Sequence, residues 1–376
     1  MKVLVVIPYF APAYSYGGAV FAAYHLSNEA SKNGMKISIS TTNANSNSKL
    51  DVKINQYIDV EGLSVKYYNT GILPFFSFKM LYGLFNDIKK SDVIHIQSIY
   101  SLSTPLSLLY AYFLNKTILL SPRGSLASWS FNHKGIFKRF WIKFLIAPFI
   151  KKIHFHATSI REENEIKYFF PTSSIELLSD GTKPIKNYPN KESKIYDWDG
   201  KFYIACLGRL HKVKGYDIMI NAMPSILEKF PDIKLLIAGN DEGEEQNLKQ
   251  LAEQLNISNN IEFIGKLNTY QKFSFLKNAQ CLVVPSHTEN FGIVVVEALS
   301  QNTPVIASRN TPWEILEQSN AGLHIKNTKE SFAKATMKIL NNRIFYSQNT
   351  SKVSEKFMWN RIAITYKSIL EKIHKQ

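Results

Sequence analysis

Short apolar runs recur along this chain, each stopped by a proline, a glycine or a polar cluster. Residues 3–7 (Val-Leu-Val-Val-Ile), bounded by Pro8, predict a buried parallel strand. Residues 19–33 have helical spacing and end at Gly34, and residues 36–41 alternate as a strand does. Runs at 65–68, 93–96, 117–120, 154–158 and 175–178 continue the strands, separated by helical or loop segments. Residues 43–48 read as a mobile loop. The second half starts the same pattern afresh. Strands are predicted at 202–207, 234–238, 261–264, 281–284 and 304–307. Helices are predicted at 216–230, 248–255, 271–278 and 294–299. This alternation predicts an α/β chain with two Rossmann-like, doubly wound domains. The polar stretch 181–200, holding Pro184, Pro189 and Gly200, reads as the join. The expected domains are 1–184 and 201–355, with a linker at 185–200.

The length of 376 residues agrees with two domains, since one core seldom grows so large. Cys206 and Cys281 both sit in apolar strand-like runs and match no metal or disulfide spacing, so a reducing cytoplasm is expected. No leader is expected at the start, because the first apolar run is short and broken by Pro8. No apolar run is long enough to cross a bilayer. The charge changes the picture more. The chain carries a net +15, and no acidic residue stands between Asp92 and Glu162. Such a field favours an anionic partner: a membrane surface, a nucleic acid or a phosphorylated substrate. No RNA-binding signature is present, so nucleic acid is disfavoured.

The densest candidate chemistry lies at 285–298. Glu289 and Glu297 stand eight positions apart, the first before Asn290-Phe291-Gly292 and the second inside an apolar run. With residues from 293 onward helical, that spacing rises about 12 Å and returns both acids to nearly one side. The span suits the two ends of an elongated polar ligand. It is too long for two acids sharing one bond, where about 5–9 Å is needed. N–H groups around Asn290, Phe291 and Gly292 would open the helix toward an anion. Gly208-Arg209-Leu210 and Lys214-Gly215 follow the first strand of the second half, where cations are well placed for a diphosphate. Gly17-Gly18 follows the first strand of the chain and would let a ligand approach the backbone. It is not the dinucleotide fingerprint. A ligand with hydroxyls at both ends and phosphates between fits this set: a nucleotide sugar.

The Glu-x7-Glu pair with Asn-Phe-Gly resembles the donor site of retaining glycosyltransferases of family 4, and the resemblance runs along nearly the whole chain. It implies the GT-B fold, two Rossmann-like domains facing across a cleft, with the final segment 356–376 crossing back to the first domain. It also implies that Arg209 and Lys214 bind the donor phosphates and that Gly18 neighbours them. Glu297 would take the ribose hydroxyls and Glu289 a hydroxyl of the transferred sugar. Gly265-Lys266-Leu267 resembles the base-binding segment. Ser121-Pro122-Arg123-Gly124 departs from the common pattern, since many relatives carry His where Arg123 stands. Arg cannot act as a base. It is left to bind a diphosphate or a sugar hydroxyl, or to serve structure. His95 is a further candidate near substrate, although Gln97 breaks the usual His-x-His and a structural strand His is the plainer reading. Thr311-Pro312-Trp313 resembles a branch found in bacterial polysaccharide assembly, and Trp313 either borders the donor pocket or packs the domain. No metal spacing and no cofactor are expected; the nucleotide sugar is a co-substrate.

One segment points to lipid. Wound as a helix, 134–146 gathers Ile136, Phe137, Phe140, Trp141 and Phe144 in one arc of about 140°. Lys134, Lys138, Arg139 and Lys143 fall in the other half, where Ile142 and Ile146 intrude. That pattern suits an anionic membrane surface. The expectation is thus a metal-independent hexosyltransferase at the inner face of a bacterial membrane. It would move a sugar, from a UDP-sugar in the first instance, to a polyprenyl-diphosphate-linked or saccharide acceptor in O-antigen or capsule-type synthesis. Two rivals stand: a nucleotide-sugar epimerase on the same fold, and a non-catalytic membrane or nucleic-acid binding protein.

Overall fold

The computed structural model describes residues 1–46, 48–71, 75–127, 135–183 and 198–376. The first half runs β1 (Lys2–Tyr9), α1 (Gly18–Lys32), β2 (Lys36–Thr42), a small antiparallel pair β3 (Ala44–Asn45) and β4 (Ser48–Lys49), β5 (Tyr57–Val60), β6 (Leu63–Tyr68), α2 (Phe78–Lys89), β7 (Val93–Gln97), α3 (Ser103–Phe113), β8 (Thr117–Ser121), α4 (Gly135–Trp141), β9 (Ile153–Ala157), α5 (Ile160–Phe169) and β10 (Ser174–Leu177). Its main sheet has the order β10-β9-β8-β7-β1-β2-β6-β5. Among these strands β5 pairs antiparallel, on the edge beside β6. Val3 to Ile7 are buried on both faces, as an unbroken apolar run in a covered parallel sheet must be. The order reverses where β1 pairs with both β2 and β7, the point at which ligands gather in such sheets. The loop expected at 43–48 is instead the β3–β4 pair, with Asn47 outside the described residues.

The second half runs β11 (Tyr203–Leu207), α6 (Tyr216–Leu227), β12 (Lys234–Ala238), α7 (Glu245–Gln254), β13 (Ile261–Gly265), α8 (Thr269–Asn278), β14 (Cys281–Val284), α9 (Ile293–Leu299), β15 (Val305–Ser308), α10 (Ile315–Gln318), β16 (Gly322–Ile325), α11 (Lys329–Asn341), α12 (Arg343–Ser347), α13 (Thr350–Ser354) and α14 (Trp359–His374). Its sheet is parallel, in the order β13-β12-β11-β14-β15-β16. Cys206 and Cys281 are buried and unbridged on neighbouring strands.

The chain divides into one compact unit of 1–180 with 359–376 and another of 181–358. Most of the expected linker, 184–197, lies outside the described residues. The return to the first unit begins at Trp359 rather than at residue 356. Phe357 stays behind because its ring packs on Phe291 and Trp313. Within the first unit α14 lies along α1, with Trp359 stacked on His25 at 6.1 Å.

Candidate functional site

Two loops of the second unit hold Arg209, Lys214, Glu289, Asn290, Phe291 and Gly292, and glycines allow the loops to touch. The loop after β11 leaves at Gly208 and ends at Gly215, whose φ of +66° is left-handed. A Cβ on Gly215 would collide with the Pro285 carbonyl of the loop after β14, so only glycine fits. The Val213 carbonyl accepts the His287 N–H at 2.8 Å, which stitches the loops together. Lys214 therefore reaches Glu289, donating to its Oε2 at 2.6 Å, and the Ser286 hydroxyl donates to the same oxygen at 3.3 Å. The Lys214 and Glu289 side chains are 18% and 16% exposed, so they are reachable but largely shielded. Arg209 is half exposed and gives one guanidinium nitrogen to both oxygens of Glu242, each at 2.8 Å.

Glu297 sits on α9, buried but for 9% of its surface, and Lys272 of α8 donates to its carboxylate. An Asn268–Gln271 capping box fixes the start of α8 and with it the reach of Lys272. Just before that box stand the exposed Lys266 and the half-buried Leu267, after Gly265 at φ +73°. Gly292 takes φ +80° immediately before α9, where a Cβ would press on Glu289. Of the Asn290-Phe291-Gly292 triplet, the Phe291 ring is core, 5.0 Å from Trp313. Trp313 is fully buried and donates its indole N–H to the Phe291 carbonyl. It packs the domain and positions this loop, and of the two readings open to it the packing one describes its side chain.

The first unit holds the remaining candidates. Gly17, at φ +74°, precedes α1, and Gly18 is exposed at its first turn. Arg123, also left-handed at φ +57°, is nine-tenths buried. Its guanidinium binds Asp180 Oδ1 at 2.6 Å and Gln97 Oε1 at 3.1 and 3.2 Å. Next to it, the Gly124 N–H donates to the buried Glu162, which also accepts from Thr158. His95 corrects the expectation of a substrate contact. It has no exposed surface, and both ring nitrogens are engaged at 2.7 Å, with Tyr366 of α14 and with Ser121. Ser121 in turn meets His156 at 2.7 Å, and His156 ends on the Leu178 carbonyl at 2.8 Å. Burial and then the Arg123 charge push His156 down to about 3, and burial with its neighbours His156 and Arg123 holds His95 well below the ordinary range. This chain of groups is a neutral, internal tie.

Sequence reasoning missed Glu242 and Lys272. Glu242 follows β12 at the same strand end that singled out Arg209, so that rule was available. Nothing in spacing joins Lys272 to an acid 25 positions later. Among the described residues, no group of three His, Cys, Asp or Glu is placed to hold a metal ion.

Residues 189–356 match the protein-family model described as Glycosyl transferases group 1. An uncharacterized glycosyltransferase of Haemophilus influenzae is 32% identical over 173 residues, which is 44% of this chain and 48% of that one. The chain spans about half the length of such curated relatives. Sucrose-phosphate synthase from Thermosynechococcus elongatus superposes with a TM-score of 0.75 at 16% identity, covering 99% of both chains. Anabaena HepE, in complex with UDP and glucose, superposes at 0.74 and 15% identity, covering 99% of this chain and all of that one. The second unit thus carries a Glycosyl transferases group 1 domain, on a two-domain, GT-B-like α/β fold with parallel sheets.

Proposed function

We propose that this protein is a retaining glycosyltransferase that uses a nucleoside diphosphate sugar. The carrying observation is the stitched pair of loops that brings Lys214 onto Glu289, with Glu297 eight residues further on α9. Arg209 and Lys214 take the donor diphosphate. They exchange their carboxylate partners for phosphate and offset the charge that builds on the leaving group. Glu297 accepts from the ribose hydroxyls and Glu289 from a hydroxyl of the sugar. The bond from the anomeric carbon to the phosphate oxygen breaks as the acceptor oxygen attacks on the same face. The acceptor's proton passes to the leaving phosphate oxygen. The proposed step uses no divalent ion and no enzyme-bound cofactor. HepE is known with UDP and glucose, which makes UDP-sugars the first donors to screen. The acceptor is proposed to be a polyprenyl-diphosphate-linked glycan or other saccharide at an anionic membrane surface, in cell-surface polysaccharide synthesis.

Arg209→Ala and Lys214→Ala should each lower transfer by roughly 10²–10³-fold, with the fold retained. Near-normal turnover in either folded variant would refute the phosphate assignment. Incubation with donor alone, followed by mass spectrometry, tests the epimerase reading, which requires a new sugar to form without an acceptor.

A further inference from the structure

The helices α2, α3 and α4 all press inward on one face of the first sheet, through Leu84 and Ile88, Leu108 and Ala111, and Trp141. Each also carries a second apolar stripe that the core does not use. On α2, Phe78 and Tyr82 are 73% and 80% exposed; on α3, Phe113 is 73% exposed and Tyr112 is exposed beside it. On α4 and the turn after it, Ile136, Phe137, Phe140 and Phe144 are all more than half exposed. Phe78 with Tyr82, the exposed Leu109 with Tyr112 and Phe113, and Phe137 with Phe140 keep helical spacing, so each stripe is one face of its helix. Partly buried rings at the flanks of these stripes link neighbouring segments. Phe85 of α2 meets Tyr110 of α3 edge-on at 5.3 Å, and Tyr112 of α3 meets Phe149 at 5.7 Å.

The charges around these stripes have one sign. Between Phe78 and Lys152 the acids are Asp87 and Asp92. Asp87 is buried against Lys66, Ser40 and Tyr68, and Asp92 accepts from the Lys2 backbone. Lys79, Lys89, Lys90, Arg139, Lys143, Lys151 and Lys152 are exposed. A protein partner for an aromatic face of this size would need acids of its own at every edge. An anionic bilayer supplies negative charge evenly and takes aromatic rings at its headgroup level. Among the described residues no helix is long and apolar enough to cross a membrane, so the layer would lie on the surface.

We infer that the whole outer face of α2, α3 and α4 docks flat on anionic lipid. This rests on the membrane part of the function proposed above and widens it from the segment 134–146 to a face three helices across. The test is flotation of the full chain with phosphatidylcholine vesicles, with and without phosphatidylglycerol. The native protein should float with the anionic vesicles, and added salt should weaken it. Tyr82→Ser with Phe113→Ser, far in sequence from 134–146, should lower partitioning roughly tenfold or more, as should Phe137→Ser with Phe140→Ser. Circular dichroism melting should stay native for both pairs, and Tyr82→Ser alone serves if a pair does not fold. Native binding by the Tyr82/Phe113 pair would overturn the three-helix face. So would absence of native binding, or equal binding to neutral vesicles. Calorimetry with UDP on the same samples tests the donor reading separately, since no residue of this face belongs to the donor site.

Discussion

Lys272 shows what a single side chain adds to the proposed donor site. Glu297 is nearly buried, and an unpaired carboxylate there would be costly. Its lysine partner supplies the compensating charge and holds the carboxylate in place. Lys272→Met should therefore blur the preference for UDP over 2′-deoxy-UDP, while Lys272→Arg retains it; calorimetry with both nucleotides gives the ratio. Glu297→Gln should mainly weaken nucleotide binding, and Glu289→Gln should mainly slow transfer. Equal loss of UDP affinity in both would contradict that division. The acids and cations proposed to hold the donor stood out because they sit in local motifs. Their partners did not, because Lys272 and Glu242 meet them only through the folded sheet. Arg123 stood out as a departure from the pattern the sequence otherwise resembles, but its ion pair with Asp180 joins residues 57 positions apart. The buried histidines have a measurable signature of their own. His156 is held near 3, against an ordinary value of about 6.5, so the unfolded chain binds the proton more readily. Stability is then fully present above about pH 6.5 and is lost as pH falls toward 3, by at most about 1.4 kcal/mol per unit for each such histidine. Urea unfolding across that window should show the slope, and His156→Asn should reduce it.

At the scale of elements, α4 is where periodicity misled. A regular helix over 134–146 puts Trp141 on the same arc as Phe137 and Phe140. In the structure α4 passes into a π-helical turn at Ile142–Ile146, and the wider turn shifts the phase of the residues within and beyond it. Trp141 stands at the edge of that arc nearest Ile142 and Ile146 and enters the core with them, and its indole donates to the Ile99 carbonyl at 2.8 Å. Phe140 and Phe144 stay outside; Lys134 lies beyond the described residues. Trp141→Ser should cost roughly 3–5 kcal/mol, the usual range for emptying a large aromatic site. Phe140→Ser should change stability by less than about 0.5 kcal/mol. Comparable losses in urea midpoints would mean that both rings are core. The strands were far more legible than this helix. Both faces of a parallel strand are covered, so an apolar run stopped by proline or glycine is signal enough. The edge strand β5 escaped notice because half its residues face water and its pairing partner lies across a two-residue turn at Glu61-Gly62.

At the scale of the molecule, the repeated β/α alternation made both units readable, because each half rebuilds the same kind of sheet. The return of α14 was not readable from periodicity. An amphipathic helix declares an apolar face without saying which unit will cover it. The structure gives the answer through Tyr366, whose hydroxyl meets His95, and through Lys372, which pairs with Glu176 at 2.7 Å. Removing 359–376 should therefore uncover α1 and the histidine tie while leaving the 181–358 unit intact. Limited proteolysis of the truncated chain should cut within the first unit and spare the second.

That return also sets an order of assembly during translation. His95 and Tyr366 are 271 residues apart. At about 5–20 residues per second, a ribosome needs roughly 14–54 s to make the second after the first. Once residue 180 has been made, the nascent first unit has all the strands of its sheet but lacks its last helix, and residues 181–358 of the second unit are made before that helix. The unit synthesised first is thus the last to close.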